Sequence, residues 1–350
     1  METVNKHLPI KPKTTRKDSW KKRILAWFRL TNDLVVRVYR GYGNARKVTI
    51  QGHVLRLSPL PRRKYRKNML VNLLAVIRLF FVRPVANVTV RLKGTALQTI
   101  TDADGFFRIE WVPQEPLPAG WHTVTVELIT AHRWITEGEG RFYIPPQTRY
   151  GCISDIDDTF LISHSSTIAK RLLVLLTENA HSREPFDDVV DHYQLLAHAC
   201  TADGQTNPFF FVSSSEWNLY DYILEFSETN HLPDGVYLLS QLKRLRQLWK
   251  TGKNKHFTKM DRIARILHMY PERQFILLGD DSQEDPSIYA SVIAHYPNQI
   301  RSVYLRQINV RNQERTKTLI GQMEKAGVSV CYFRHSARAI EHSQHIGLLP

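Results

Sequence analysis

The chain has 350 residues, 43% of them apolar and 23% charged, an ordinary globular composition that excludes disordered, collagenous and repeat-built chains. Its length favours two domains with a sizeable core. The net charge of +15 is uneven: residues 1–150 hold 27 Lys+Arg against 10 Asp+Glu, and the remainder 21 against 23. Such asymmetry points to an anionic partner for the N-terminal half, a membrane surface or nucleic acid.

Three cysteines, Cys152, Cys200 and Cys331, lie far apart with no CxxC pair, so free buried thiols in a reducing cytosol are expected. The N-terminus lacks an apolar stretch followed by a cleavage site, which also points to a cytoplasmic protein.

Residues 1–33 form a basic N-terminal segment. Within 11–30, Trp20, Ile24, Trp27 and Phe28 fall near one helical face, as in an interfacial amphipathic helix or one packed on its own domain. Residues 34–147 carry short β-rich runs separated by turn residues: 34–39, 48–57, 85–92, 106–111, 122–128 and 141–144. Their spacing predicts a small β-sandwich. The segment Thr101-Asp102-Ala103-Asp104-Gly105-Phe106-Phe107 reads as a hairpin turn entering a strand, and resembles the TDxxGxF turn of transthyretin-like or carboxypeptidase-regulatory-like domains.

A helical insertion is predicted over 66–83. The basic string Arg62-Arg63-Lys64-Tyr65-Arg66-Lys67 precedes an apolar run, Met69 to Val82, too short to span a bilayer. It either buries one face on the sandwich or docks on a membrane. The stretch Ile144-Pro145-Pro146-Gln147 breaks helix and ladder, and a second domain is expected over 148–350. There, strand candidates at 150–154, 209–212, 235–239, 275–278, 300–305 and 328–333 alternate with helical patterns. The expected fold class is α/β, Rossmann-like, with a mainly parallel sheet covered on both faces.

In such a sheet ligands sit at the carboxyl ends of the strands. Asp155 and Asp157 follow the first strand, Ser213-Ser214-Ser215 the second, and Asp280-Asp281 with Glu284 and Asp285 the fourth, while a helix from about His256 to Met269 brings Lys259 in its opening turn. Carboxylates from two strand ends suit Mg²⁺, a hard cation that takes few carboxylates plus phosphate oxygens. Asp155 is the candidate nucleophile, Asp157 the general acid/base, Ser213 a donor to a phosphoryl oxygen, and Lys259 a cation that offsets developing charge. Asp155, Asp157 and Asp280 are the candidate metal ligands; Thr159 and Ser214 are candidate substrate contacts. Each feature alone is common in turns and caps. Their order, Asp-x-Asp, Ser, Lys, Asp-Asp, each at an appropriate element end, carries the assignment. Fifteen histidines show no HExxH or comparable spacing, so zinc is not expected.

These motifs resemble those of the haloacid dehalogenase-like hydrolases: DxDx(T/V), a Ser or Thr after a strand, a Lys and an acidic pair. More narrowly, SDIDDTF, FFFVSSSEWNLYDYI, KMDRIARILHMYPERQFILLGDDSQEDPSIY, VYLRQI and the tail AGVSVCYF with SARAIEHSQHIGLL resemble the catalytic domain of the actin-patch-associated, Mg²⁺-dependent phosphatidate phosphatases, over about 148–350. The preceding β-domain is similar to that of bacterial relatives. The resemblance implies phosphatidate as substrate, diacylglycerol and phosphate as products, and an enzyme of phospholipid metabolism peripheral on an anionic membrane.

Two departures stand out. The chain has GDDSQEDP where the family commonly has GDSGQxDP, which leaves the second acidic ligand open between Asp281 and Asp285. It has SSSEW where SxSPW is frequent, which adds Glu216 near the phosphate entrance. Lys255 competes with Lys259, though the family's Lys followed four residues later by Ile fits Lys259 and Ile263. Trp217, Tyr220 and Tyr222 read either as core packing or as a lipid entrance. The alternatives are a phosphatase of the same mechanism acting on a soluble ester, and a non-catalytic protein binding anionic lipid or nucleic acid. Nucleic acid is not expected, since no helix-turn-helix, RRM or zinc finger is recognisable. The oligomeric state is left open.

Overall fold

The structure is a computed structural model that describes residues 30–31, 33–59, 82–130, 133–156, 188–240 and 255–350. The expected amphipathic helix over 11–30 and the helical insertion over 66–83 lie essentially outside the described residues. The N-terminal half contains strands β1 (Leu30–Thr31), β2 (Val35–Val38), β3 (Gly41–Gly43), β4 (Val48–Arg56), β5 (Ser58–Pro59), β6 (Arg83–Pro84), β7 (Thr89–Leu92), β8 (Gln98–Ile100), β9 (Phe106–Trp111), β10 (Gly120–Thr130) and β11 (Arg133–Ile144). All but β1 and β5 join one nine-stranded sheet, antiparallel except where β3 runs parallel to β11.

Five of these strands, β1, β3, β5, β6 and β8, were not expected from the sequence, and β11 begins at Arg133 rather than near Arg141. Strand β3 is Gly-Tyr-Gly, which reads as a turn, yet a Cβ on Gly41 would lie 2.5 Å from the Thr49 carbonyl oxygen, so glycine permits the close approach. The predicted turn at 101–107 forms: Gly105 has φ 71°, and the Asp102 carboxylate accepts from the amides of Asp104 and Phe106. It does not close a β8–β9 ladder, because β8 pairs with β7 and β9 with β4.

Strand β4 shows how the halves join. Its residues alternate between two faces. Val48, Ile50 and Val54 pack with Phe107, Ile109 and Val126 in the core of this half. The opposite face, Thr49, Gln51 and His53, is polar and yet buried. Tyr39, just after β2, stacks on Trp217 of the second half with ring centroids 4.1 Å apart. Arg37 pairs with Asp221 at 2.5 Å, and the Tyr270 hydroxyl donates to the Gly43 carbonyl at 2.8 Å.

The C-terminal half follows as β12 (Tyr150–Ser154), α1 (Val189–Ala197), β13 (Phe209–Glu216), α2 (Tyr220–Thr229), β14 (Gly235–Ser240), α3 (Lys255–Met269), β15 (Gln274–Asp280), α4 (Asp285–His295), β16 (Ile300–Arg306), α5 (Gln313–Lys325), β17 (Ser329–Phe333) and α6 (Ser336–His345). Its six strands are all parallel, in the order β14-β13-β12-β15-β16-β17. Phe209, Phe211, Ile276 and Leu278 pack on one face with residues of α1, α2 and α6; Phe210, Val212, Phe275 and Leu277 pack on the other with α3, α4 and Met323 of α5. Burial on both faces explains the nearly continuous apolar runs. Trp217, Tyr220 and Tyr222 are buried, the packing role among the two expected. Cys152 and Cys331 are buried, but Cys200 is exposed, contrary to expectation, because it sits in the turn after α1. Among the described residues no helix is long and apolar enough to cross a membrane.

Candidate active site

Strand β12 lies between β13 and β15, with Ser154 level with Phe211 on one side and Leu278 on the other. This register brings the residues that follow all three strands to one edge. Asp155 comes directly after β12. Its amide donates to the Leu278 carbonyl at 2.8 Å, its own carbonyl accepts from the Ser154 hydroxyl at 2.7 Å, and that hydroxyl lies 2.8 Å from the buried Tyr193 hydroxyl. The backbone is held from both sides, so the Asp155 carboxylate, 2% exposed, leaves the sheet in one direction.

Asp280 is the last residue of β15 and Asp285 the first of α4. Asp155, Asp280 and Asp285 each place a carboxylate oxygen within 4.8 Å of the others, and all three are buried. Asp285 at a helix N-terminus is electrostatically favourable. Gly279 admits it, since a Cβ there would lie 2.6 Å from Asp285 Oδ2 and 2.8 Å from the Tyr289 hydroxyl.

Lys259, on α3, answers the carboxylates. Its Nζ is 2.8 Å from Asp155 Oδ1 and also pairs with Asp285 Oδ1. Burial alone pulls a lysine pKa down; here Asp155 and then Asp285 outweigh it, and the ammonium is held above its ordinary value. A charge this deep, 3% exposed as a residue, persists only because it is paired.

Ser213 lies within β13, which continues to Glu216, beyond the expected end at Val212. The β13–β14 register is irregular between Val212 and Glu216, and there the Ser213 hydroxyl accepts from the Ser215 amide at 2.8 Å. Ser213 is buried and Ser214 half-buried. Arg262 braces this segment, donating to the Ser213 and Leu239 carbonyls at 3.1 Å each. Sequence reasoning missed Arg262, although its place three residues after Lys259 on one helix was a usable signal.

Asp157 and Thr159 lie outside the described residues. Asp281 points elsewhere: its carboxylate accepts from the amides of Ile308 (2.6 Å) and Asn309 (2.8 Å) and from the Tyr332 hydroxyl (2.5 Å), tying together the segments after β16 and within β17. This edge of the sheet thus carries acidic oxygens from two strand ends, a lysine and a serine segment, a set able to hold a hard cation and a phosphoryl group.

Residues 150–307 match the family model of the phosphatidate phosphatase APP1 catalytic domain. Phosphatidate phosphatase APP1 of Saccharomyces cerevisiae is 28% identical over 158 residues, covering 45% of this chain and 25% of that protein. An uncharacterized protein of Schizosaccharomyces pombe is 24% identical over 100 residues, covering 28% of this chain and 16% of its own length. The chain therefore spans a quarter or less of these curated relatives. Among solved structures, an FMN-binding beta-glucuronidase from Facaelibacterium prausnitzii L2-6 aligns over 87% of this chain and 55% of its own, at 10% identity and TM-score 0.21, too distant to bear on the fold. By this match, residues 150–307 of this chain are similar to the catalytic domain of phosphatidate phosphatase APP1.

Proposed function

We propose that the chain is a Mg²⁺-dependent phosphoric monoester hydrolase that acts through Asp155, with phosphatidate as its substrate. The observation that carries the reading is the convergence of Asp155, Asp280, Asp285 and Lys259 at the carboxyl edge of a parallel sheet. In this reading the C-terminal half is a haloacid dehalogenase-type domain and the sheet ahead of it a small β-sandwich.

The donor set suits magnesium. It consists of carboxylate oxygens, and Asp285 Oδ2 is buried without a hydrogen-bond donor. Asp155, Asp280 and Asp285 would hold the ion, which supplies charge neutralisation to the phosphoryl oxygens. Of Asp281 and Asp285, between which the second acidic ligand was open, Asp285 joins this set because the Asp281 carboxylate is occupied by two amides and a phenol.

The Asp155 carboxylate attacks phosphorus, the ester oxygen departs as the alcohol, and an aspartyl-phosphate remains for water to hydrolyse. Lys259 orients Asp155 and stabilises charge on the phosphoryl group. The Ser213 hydroxyl and Ser214 bind phosphoryl oxygens; Asp157 acts as proton donor and Thr159 as substrate contact. The basic N-terminal half draws the protein from the cytoplasm to anionic membrane, where phosphatidate resides.

The test is phosphate release from phosphatidate in mixed micelles with Mg²⁺, beside Asp155→Asn and a soluble aryl phosphate. Release that needs Mg²⁺ and Asp155 and favours the lipid is expected. Turnover of the soluble ester alone would retain the mechanism and discard the lipid; no Asp155-dependent turnover of either would overturn the hydrolase reading.

A further inference from the structure

A cavity of about 220 Å³ opens between the nine-stranded sheet and the parallel sheet. Its walls include Gln51 of β4 and Arg108 of β9 from one side, and Trp217, Arg262 and Arg265 from the other. None of Asp155, Ser213, Lys259, Asp280 and Asp285 lines it.

Three guanidiniums share this small space. Arg265 pairs with Asp261 at 2.5 Å. Among the described residues neither Arg108 nor Arg262 has a carboxylate at ion-pair distance. Asp102 and Asp104 also line the cavity, and the Asp102 carboxylate accepts from two amides of its own turn. Burial, and then the charge of Arg265, lowers the pKa of Arg108 and brings that of Arg262 down to about 10. Both cations sit where an anion would relieve them.

The donors tell the same story. Arg262 Nε is buried without an acceptor, as is Gln51 Nε2, and a guanidinium N–H has no other role than to donate. A buried donor left unmet is costly and rarely kept without a ligand or a bound anion. The forked N–H groups of the two guanidiniums that lack a carboxylate partner match the oxygens of a phosphate.

We infer that this interdomain cleft binds a phosphate-type oxyanion, free or as a lipid headgroup, between Arg108 and Arg262 and apart from the Asp155 carboxylates. The cleft is wired to the site: the remaining nitrogens of Arg262 hold the Ser213 and Leu239 carbonyls, so an anion on Arg262 bears on the serine segment.

The experiment is calorimetric titration of inorganic phosphate into the full chain in EDTA, for the unmodified protein, Asp155→Asn, Arg108→Gln and Gln51→Leu. Binding is expected to survive Asp155→Asn and to weaken about tenfold in Arg108→Gln. Gln51→Leu removes a buried donor that has no partner, so it folds at least as well and is expected to weaken binding too. Flotation with vesicles of phosphatidate in phosphatidylcholine, against phosphatidylcholine alone, separates the sources. An Arg108-dependent gain on phosphatidate assigns the headgroup; Arg108-dependent calorimetric binding without that gain assigns free phosphate. Overturning results are no binding in either assay, binding unchanged in both cleft variants, or binding lost only with Asp155→Asn. Hydrolysis is read separately, so cleft binding without turnover would keep this inference and discard the hydrolase reading.

Discussion

Lys259 Nζ lies 2.8 Å from Asp155 Oδ1, and both side chains are buried at the edge of the parallel sheet. One ammonium is thus the counter-charge that lets a cluster of carboxylates stay buried. Lys259→Met should lower stability without metal by about 3–5 kcal/mol, the scale for a buried charge stripped of its partner. Mg²⁺ should recover part of the loss, because a cation among Asp155, Asp280 and Asp285 does the same electrostatic work. Urea unfolding with and without Mg²⁺ reads both effects.

Asp281 and Asp285 are predicted to separate by phenotype. Asp285→Asn should reduce Mg²⁺-dependent phosphate release by about 10²-fold or more and raise the Mg²⁺ concentration needed. Asp281→Asn should instead cost about 2 kcal/mol, through its bonds to Ile308, Asn309 and Tyr332, and leave the Mg²⁺ dependence unchanged. Paired Mg²⁺ titrations and melting curves distinguish them; exchanged phenotypes would reverse the assignment.

Gly279→Ala tests whether the carboxylate geometry is set by packing. The new Cβ would sit 2.6 Å from Asp285 Oδ2 and 2.8 Å from the Tyr289 hydroxyl, so Asp285 or α4 must shift. Overpacking costs about 1–3 kcal/mol. Activity should fall further than stability alone explains, seen as a lower kcat at a temperature where the variant is fully folded.

Two buried histidines set an acid limb on stability. Burial, followed by Arg37 for His53 and by Arg306 for His192, lowers each pKa from 6.5 to about 3. The unfolded chain takes up protons that the native chain refuses, so their stabilisation is complete above pH 6.5 and is lost as pH falls toward about 3. At pH 5 each should cost about 2 kcal/mol. His192→Gln should remove about half of that slope between pH 6.5 and 5, measured by denaturant unfolding across pH.

Arg40 is predicted to fasten the two halves. It pairs with Asp234 and Glu228, donates to the Gly235 carbonyl at 3.0 Å, and lies over Trp121 and Tyr237. Its acidic partners are more than half exposed, so screening limits the ionic part and packing supplies much of the rest. Arg40→Ala should destabilise by about 2 kcal/mol and increase proteolysis near Ile144 to Tyr150, between the two sheets.

The parallel-sheet strands were legible as apolar runs because burial on both faces removes the need for polar alternation, and β12 has the bounds expected for it. Strand β3 was hidden because Gly-Tyr-Gly carries a turn signature that only contact with β4 overrides. Gln51 and His53 look like solvent-facing positions of a strand, and become buried because the other half covers that face.

The sequence by itself determined the chemistry of the candidate site: acidic, serine and lysine residues each adjoin a strand or helix end, where local pattern and reactive residue type coincide. What tertiary structure decided was which of them share a space. Asp281 and Asp285 are four positions apart and chemically identical; one turns to the amides of Ile308 and Asn309, the other to Lys259, from a helix 26 residues earlier in the chain. The Arg108–Arg262 cleft is likewise absent from any local pattern, since its walls come from two sheets. Local sequence sets what a side chain can do, whereas partners distant in the chain are chosen by how the buried faces pack.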